Sequence, residues 1–439
     1  MPFFRLHGVH VKHNKNTADV PPVRINTPTA VTIPMSMHIG SPATPVVKAG
    51  DSVKVGQLIG ESSGFVSAPI YSSVSGKVKK IDEIVFINGA HVSAVVIESD
   101  GEQMPLESIT PPAVNSREEF IEAVKASGIV GLGGAGFPTV VKLSADVSKI
   151  NAIVVNGAEC EPYITSDTRT MIDDASLVAE GIAMLMKYLE VGKTVVGIER
   201  NKPLCVKKMS EALKAVEGAE VKVLPSVYPQ GGEKVLVYHT LGRVIGEGEL
   251  PLDQGVIVIN CTTLAAIAKY IKTGMPLVEK CITVDGSAVK EPKNVIAPIG
   301  TSAKDIFDFC GGFAEAPRKI LFGGPMMGNA AVDINAPVMK QTNALLAFGK
   351  REAAAPKSTP CIKCGRCASS CPFGLSPHEM SDAYKSGDCE KLEKLKANLC
   401  MECGCCSYVC PAKRDLVQRN KMAKAKLRDY QMAKKGDKK

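Results

Sequence analysis

Two cysteine runs near the C-terminus constrain this chain more than any other feature. The first reads Cys361-Ile-Lys-Cys364-Gly-Arg-Cys367-Ala-Ser-Ser-Cys371-Pro372 and the second Cys400-Met-Glu-Cys403-Gly-Cys-Cys406-Ser-Tyr-Val-Cys410-Pro411. Both have the spacing C-x2-C-x2-C-x3-C-P that ligates cubane 4Fe–4S clusters. Two-residue gaps let three thiolates converge on one cubane while backbone N–H groups point at its sulfides. The three-residue gap turns the fourth cysteine toward a neighbouring cluster, and the proline ends the local turn. The spacing therefore predicts a crossed set: Cys361, Cys364, Cys367 and Cys410 on one cluster, and Cys371, Cys400, Cys403 and Cys406 on the other. Zinc also takes paired C-x2-C ligands, but it leaves unexplained two complete four-cysteine runs each closed by proline. Cys389 and Cys405 fall outside the register and read as ordinary thiols. Cys160, Cys205, Cys261, Cys281 and Cys310 have no metal-like spacing and read as packing residues.

The rest of the composition is that of a globular chain. With 439 residues, 45% hydrophobic and 22% charged, a disordered or collagen-like protein is excluded and two to four domains are expected. No apolar stretch approaches the ~20 residues of a membrane helix. The N-terminal MPFFRLHGVHVKHNKN lacks the apolar core of a signal peptide. Together with the unpaired-looking cysteines, this predicts a cytoplasmic protein, soluble or peripheral to a membrane. The net charge of +8 is concentrated in residues 412–439, which hold 11 Lys/Arg against 3 Asp/Glu, while the remaining body balances at 42 of each. A neutral body offers no basic face for nucleic acid. Residues 418–435 are expected to form a basic helix with a weak apolar side of Met422, Leu427 and Met432. Two readings of it stand: a solvated tail, or a docking element for anionic lipid or an acidic protein surface.

Four units follow one another. Residues 1–112 read as all-β, with short alternating runs between Gly, Ser and Asp turns. The phrases VKAGDSVKVGQLIG (47–60) and SAPIYSSVSGKVKKID (67–82) resemble the barrel-sandwich hybrid fold of biotinyl and lipoyl domains. The tip between the halves reads ESSGFVS, without the modifiable lysine of that fold, so a scaffold without a swinging arm is expected. Residues 113–274 alternate helix and strand (helices over 116–126, 175–188, 205–216 and 262–273; strands over 151–156, 194–198, 220–224 and 256–260), the pattern of a mainly parallel α/β layer. Residues 275–347 give strands around 280–284, 295–298 and 319–322 with a helix over 303–309, a β-grasp order. Residues 346–358 read as a linker, and 348–439 as a helical two-cluster, ferredoxin-type domain ending in the basic tail.

The α/β unit carries a glycine loop, Gly131-Leu-Gly133-Gly134-Ala-Gly136-Phe137. It follows a helix rather than a strand, so it is not a Rossmann fingerprint. Bare backbone there can still approach a phosphate or flavin closely. Asn156-Gly-Ala-Glu159-Cys-Glu161-Pro and Asn260-Cys-Thr-Thr263 follow strand ends, and Tyr228-Pro-Gln-Gly231-Gly232-Glu233-Lys234 precedes a helix. Acceptors and glycines at several strand ends predict a ligand crevice at the carboxyl edge of the sheet.

GLGGAGFPT with Lys142 after it, NGAECEP and the GGE segment resemble the FMN- and NADH-binding flavoprotein subunit of respiratory complex I and of soluble NADH-linked hydrogenases. YPQGGEK, FGGPMMG (322–328), the N-terminal barrel and the double cysteine run extend the resemblance, over nearly the whole chain, to the RnfC family of Rnf-type membrane electron-transport complexes. The chain departs from the complex I pattern at Leu132 and Thr262, where that family carries Arg and Glu. The resemblance implies an FMN cradle of Gly131, Gly133, Gly134, Gly136 and Lys142 with Asn156, Asn260 and Thr263. It implies that Phe137, Glu159, Glu161 and Glu233, beside Gly231 and Gly232, line the nicotinamide side. It further implies a peripheral subunit on the cytoplasmic face of a membrane, exchanging electrons between NAD(H) and ferredoxin through partner subunits that move Na⁺ or H⁺. The parts agree chemically, because a hydride carries two electrons, a cubane accepts one, and a flavin handles both regimes. A cobalamin reductase built of similar modules would place the barrel after the flavin domain; a flavin-free electron-transfer adaptor would have no flavin in the crevice. From the crossed spacing, reconstituted protein is expected to hold about eight iron and eight sulfide. Cys410→Ser should damage the cluster of Cys361, Cys364 and Cys367, measured by iron content and cluster EPR; loss of the other cluster would contradict the crossing.

Overall fold

The computed structural model describes residues 8–87 and 89–436; the reading of residues 1–7 as lacking a leader lies outside them. The α/β unit is built on a four-stranded, all-parallel sheet in the order Ala219–Leu224, Thr194–Glu199, Ala152–Asn156, Val256–Asn260. Its strands are continuous apolar runs because both faces are covered. Ile153, Val155, Val196, Ile198, Ile257 and Ile259 pack under helices Ala175–Tyr188, Pro203–Ala212 and Cys261–Thr273, and Val154, Val256 and Val258 pack under Glu233–Leu241. Chain order reverses between Ala152–Asn156 and Val256–Asn260, the point at which an open parallel sheet leaves a crevice beyond its carboxyl ends. Asn156 and Asn260 are direct partners in that register.

The first unit folds as two small antiparallel sheets, one of four strands and one of three. Its core is continuous with that of the β-grasp unit: Ile33, Ile59, Val95 and Ile97 pack in the same cluster as Ile282, Val295 and Phe307. Two modules separated in sequence by the whole α/β unit are thus joined in space. The segment 8–24 leaves the barrel, bridging to Tyr228 through Val9 and adding the strand Val23–Arg24 to the β-grasp sheet, parallel to Lys293–Pro298.

One reading is corrected here. The linker expected from residue 346 begins later, because Ala344–Phe348 is a wholly buried strand inside the six-stranded sheet, between Glu279–Asp285 and Lys319–Phe322. An unbroken apolar run of five residues carries no alternation to mark it as a strand.

In the last unit the two cysteine runs adopt the same conformation. Lys363 and Glu402 have φ of 54° and 61°, Gly365 and Gly404 of 75° and 82°, and Gly374 and Lys413 of 64° and 52°. Each run then forms a one-turn helix, Arg366–Ser369 or Cys405–Tyr408. The basic segment is helical, Leu416–Gly436, but it is not a free tail. Its inward stripe is Leu416, Asn420, Ala423 and Leu427, at helical spacing, and the lower part of it packs on Met380, Ala383 and Leu392 of the cluster domain. Met432, expected on the apolar side with Leu427, is exposed instead, while Met422 lies at the edge of the packed stripe, its Sδ accepting from the Tyr384 hydroxyl at 3.5 Å. Lys424 Nζ donates to the Cys400 carbonyl at 2.9 Å and pairs with Glu402 at 3.1 Å, so part of the positive charge braces the second run. Leu427→Ala, which removes a side chain 1% exposed, is expected to cost the cluster domain roughly 2–5 kcal/mol. The measurement is faster loss of iron to a chelator; unchanged iron retention would show that the helix is dispensable.

Candidate functional site

A cleft of about 370 Å³ opens over the carboxyl ends of the parallel sheet, within the range of cofactor pockets. The structure brings all fourteen non-cysteine residues singled out above to its wall: Gly131, Gly133, Gly134, Gly136, Phe137, Lys142, Asn156, Glu159, Glu161, Gly231, Gly232, Glu233, Asn260 and Thr263. Asn260 organises one side. Its Oδ1 accepts from the Thr263 backbone at the start of helix Cys261–Thr273, and its Nδ2 donates to Asp167 at 2.7 Å. Thr263 Oγ1 in turn accepts from Leu132 N–H at 3.0 Å, tying the glycine loop down. A Cβ on Gly133 would lie 2.5 Å from Asn260 Nδ2, so the loop packs on this asparagine only without a side chain. Gly134 has nothing within 4 Å of its Cβ direction and presents bare backbone to the cleft.

Opposite, Asn156 Nδ2 donates to the Gly231 carbonyl at 2.9 Å, and Gly231 N–H donates to Cys160 Sγ at 3.3 Å. Cys160 therefore lines the cleft besides packing within the fold. Lys142, on the turn Thr139–Leu143, pairs with Glu233 at 2.7 Å and donates to the Val258 carbonyl at 3.2 Å. Both ends of that pair are substantially exposed, so an incoming anion can compete for the lysine at little cost.

The two other carboxylates are engaged differently. Glu159 accepts from Asp167 N–H at 2.6 Å and Thr168 N–H at 3.2 Å, closing the start of helix Ser166–Asp173. Glu161 accepts from Met326 N–H at 3.1 Å and Met327 N–H at 2.8 Å, in the FGGPMMG segment of the β-grasp unit. Burial pushes both carboxyls up to about 7. Beneath them Lys15 Nζ donates to the carbonyls of Glu159 (2.8 Å), Glu161 (2.8 Å) and Ile164 (2.5 Å), and its own desolvation lowers it to about 8.

The cysteines form two groups, each drawn from both runs. Cys361, Cys364, Cys367 and Cys410 ring one pocket; Cys371, Cys400, Cys403 and Cys406, with Cys405, ring another. Among the described residues no three Cys, His, Asp or Glu side chains close to the distance that holds a single ion. Four thiols from two such runs around one space fit a 4Fe–4S cluster. The second pocket adjoins the cleft, for Met401 lines both. Tyr228 seals the junction, its hydroxyl donating to the Cys403 carbonyl at 2.7 Å and its carbonyl accepting from Cys405 Sγ at 3.8 Å. At the far pocket Cys364 is exposed and Ile362 is 67% exposed.

The cleft fits a flavin mononucleotide on its own observations: bare glycine backbone, a replaceable lysine, and a Thr139 hydroxyl buried at the wall with no partner. Sequence reasoning missed Asp167, Lys15, Met401 and Met327. Met401 stands inside the second cysteine run and could have been found there; Lys15 carries no local signal.

Comparison with known proteins follows the same division. Family models match residues 4–102 (RnfC barrel sandwich hybrid domain), 124–269 (Nuo51 FMN-binding domain), 281–330 (SLBB domain) and 357–415 (4Fe-4S dicluster domain). The chain is 42% identical over 429 residues to the C component of the Na(+)-translocating ferredoxin:NAD(+) oxidoreductase complex of Acetobacterium woodii, covering 96% of each. It is 44% identical over 382 residues to the proton-translocating counterpart of Clostridium ljungdahlii, covering 85% of this chain and 83% of that one. The C component of the ion-translocating oxidoreductase complex of Rhodobacter capsulatus is 38% identical, over 97% of this chain and 84% of its own. An NAD+-reducing NiFe-hydrogenase shares the fold over 72% of this chain and 64% of its own, with a TM-score of 0.52 at 18% identity.

Gly134→Val, whose side chain would project into the open cleft, is expected to leave the fold and iron content intact and to reduce bound FMN at least tenfold. Unchanged flavin content, measured after denaturing release, would remove the glycine loop from the site.

Proposed function

The chain belongs to the RnfC family, the C components of ion-translocating ferredoxin:NAD+ oxidoreductase (Rnf) complexes, and on that premise we propose how its residues divide the work of passing electrons between NAD(H) and ferredoxin. The observation that supports this reading is Met401, which lines both the cleft and the pocket ringed by one thiol quartet. The glycine loop 131–136, Asn156, Asn260 and Thr263 hold FMN against the sheet edge. Lys142, whose exposed pair with Glu233 an anion can replace, would meet the phosphate. Phe137, Glu233 and the Gly231–Gly232 backbone face the nicotinamide nucleotide. FMN held there would supply the chemistry that joins a two-electron hydride donor to one-electron acceptors. The quartet of Cys371, Cys400, Cys403 and Cys406 holds the near 4Fe–4S cluster and that of Cys361, Cys364, Cys367 and Cys410 the far one. Tyr228 and Met401 fix the near quartet against the cleft wall and keep water from between them. The far quartet, beside exposed Ile362, is the end that meets a partner protein of the complex.

Among the described residues no helix is long and apolar enough to cross a membrane. From the likeness to the Rnf C components we infer that ion movement belongs to partner proteins of the complex and that this chain sits on the cytoplasmic side. The working units run over 1–112, 113–274, 275–348 and 349–439, the third boundary moved by one residue so that the strand Ala344–Phe348 completes the β-grasp unit. The barrel precedes the flavin-binding unit, the order opposite to that expected of the cobalamin reductase.

Purified, reconstituted protein is expected to show NADH bleaching flavin absorbance first and cluster absorbance second, with a cluster EPR signal following. Flavin-replete protein that NADH does not bleach would overturn the reading. Glu233→Ala should raise the NADH concentration for half-maximal flavin reduction about tenfold, equivalent to about 1.4 kcal/mol, with flavin content unchanged. Equal losses of both would place Glu233 in the flavin cradle instead.

A further inference from the structure

The FGGPMMG segment, 322–328, is not used by the function described above, yet it touches three units at once. It lies in the β-grasp unit, its Met326 and Met327 amides donate to Glu161 of the α/β unit, and Met326 packs with Met401, Cys403 and Cys405 of the cluster domain. Two glycines allow this crowding. A Cβ on Gly324 would lie 2.5 Å from Glu161 Cδ, and one on Gly404, inside the second cysteine run, 2.9 Å from the Met326 carbonyl. The Met326 backbone is therefore held on one side by a carboxylate of the cleft and on the other by the loop that carries Cys403 and Cys406.

We propose that Glu161 is an interdomain latch: its carboxylate anchors the Met326–Met327 backbone, which in turn seats the near thiol quartet against the cleft. It is then a positioning residue for electron transfer between flavin and cluster, not a ligand of the nucleotide. Two arguments favour this over the nucleotide-side role implied by resemblance. Each carboxylate oxygen already accepts a backbone N–H from another unit, at 3.1 and 2.8 Å, so both are engaged away from a nucleotide. Releasing either amide would also leave a donor without its partner beside the cluster domain. The backbone of Glu161 is held from below by Lys15, so the latch has a fixed anchor. Tunnelling between redox centres falls steeply with separation, so a small outward shift of the quartet slows it with no effect on hydride transfer.

The inference rests on the proposed placement of FMN and the clusters, and the test separates the two. Gly324→Ala is the first variant, since its methyl must displace the Glu161 carboxylate from both amides and meets no atom of the glycine loop, Lys142, Asn156, Asn260 or Glu233. Glu161→Gln is the second, replacing one acceptor by an NH2 that faces a backbone donor. Each reconstituted protein is assayed for FMN and iron content, for KM of NADH, and by stopped flow for the separate rates of flavin and cluster reduction. The latch predicts full FMN and iron, KM within twofold of the parent, parental flavin bleaching, and cluster reduction slowed tenfold or more in both variants. The double variant should be no slower than the slower single one. A tenfold rise in KM with cluster reduction at the parental rate would make Glu161 a nucleotide ligand and overturn the latch. Parental behaviour in both variants would overturn it equally. If the parent protein itself shows no ordered flavin-then-cluster reduction, the placement of the cofactors fails, whatever the variants do.

Discussion

Three desolvated ammonium groups hold the irregular backbone on which the cleft depends. The loops at the sheet edge belong to neither helix nor ladder, so their carbonyls need donors from elsewhere. Lys15 supplies three for the loop of Glu159 and Glu161, Lys280 reaches the Leu132 carbonyl at 3.2 Å, and Lys340 bonds Pro69 and Gly128 at 2.6 and 2.7 Å. Each lysine comes from a different unit than the cleft loop it holds. An ammonium has three donors and no acceptor, which suits it to gathering carbonyls from converging loops. Burial lowers all three, Lys340 to about 7, so the fold gives up part of its stability to keep these loops still.

That rigidity sets the geometry of the electron path. The barrel and β-grasp units share one core and clamp the glycine loop from outside, while the segment 8–24 ties the α/β unit from below. Against this fixed frame the second cysteine run is gripped by Tyr228 on Cys403, Gly232 on Met401, and Met326 over Gly404. The near quartet is the one so held. The other quartet shares no lining residue with the cleft, and Cys364 and Ile362 beside it stand at the surface.

Much of this is legible in the sequence because the chemistry is local. A thiol quartet needs fixed spacing, a glycine loop needs bare backbone, and strand ends at a parallel sheet's carboxyl edge carry their acceptors next to an apolar run. Asn156 and Asn260 can be picked out for that reason, and the structure sets them side by side. What escapes is what depends on distant packing. Lys15 gathers carbonyls almost 150 residues away, and no periodicity announces such a partner. Ala344–Phe348 reads partly as linker because a fully buried strand lacks alternation. Met432 is left exposed while Met422 edges onto Tyr384 of Pro377–Ser386, and a basic helix of low amphipathicity does not reveal which stripe will be covered. The carboxylate of Glu161 is recognisable but not its occupants, which come from another unit.

The two thiol groups each borrow one member from the opposite run, and this has a consequence for how the protein is made. As the ribosome delivers the chain, Cys361, Cys364 and Cys367 emerge long before Cys410, and Cys371 waits for Cys400, Cys403 and Cys406. Neither site can close on half a domain. Neither thiol quartet is complete until the second run has left the ribosome, by which time the upstream units have had the opportunity to fold and offer the surface on which the finished domain must land.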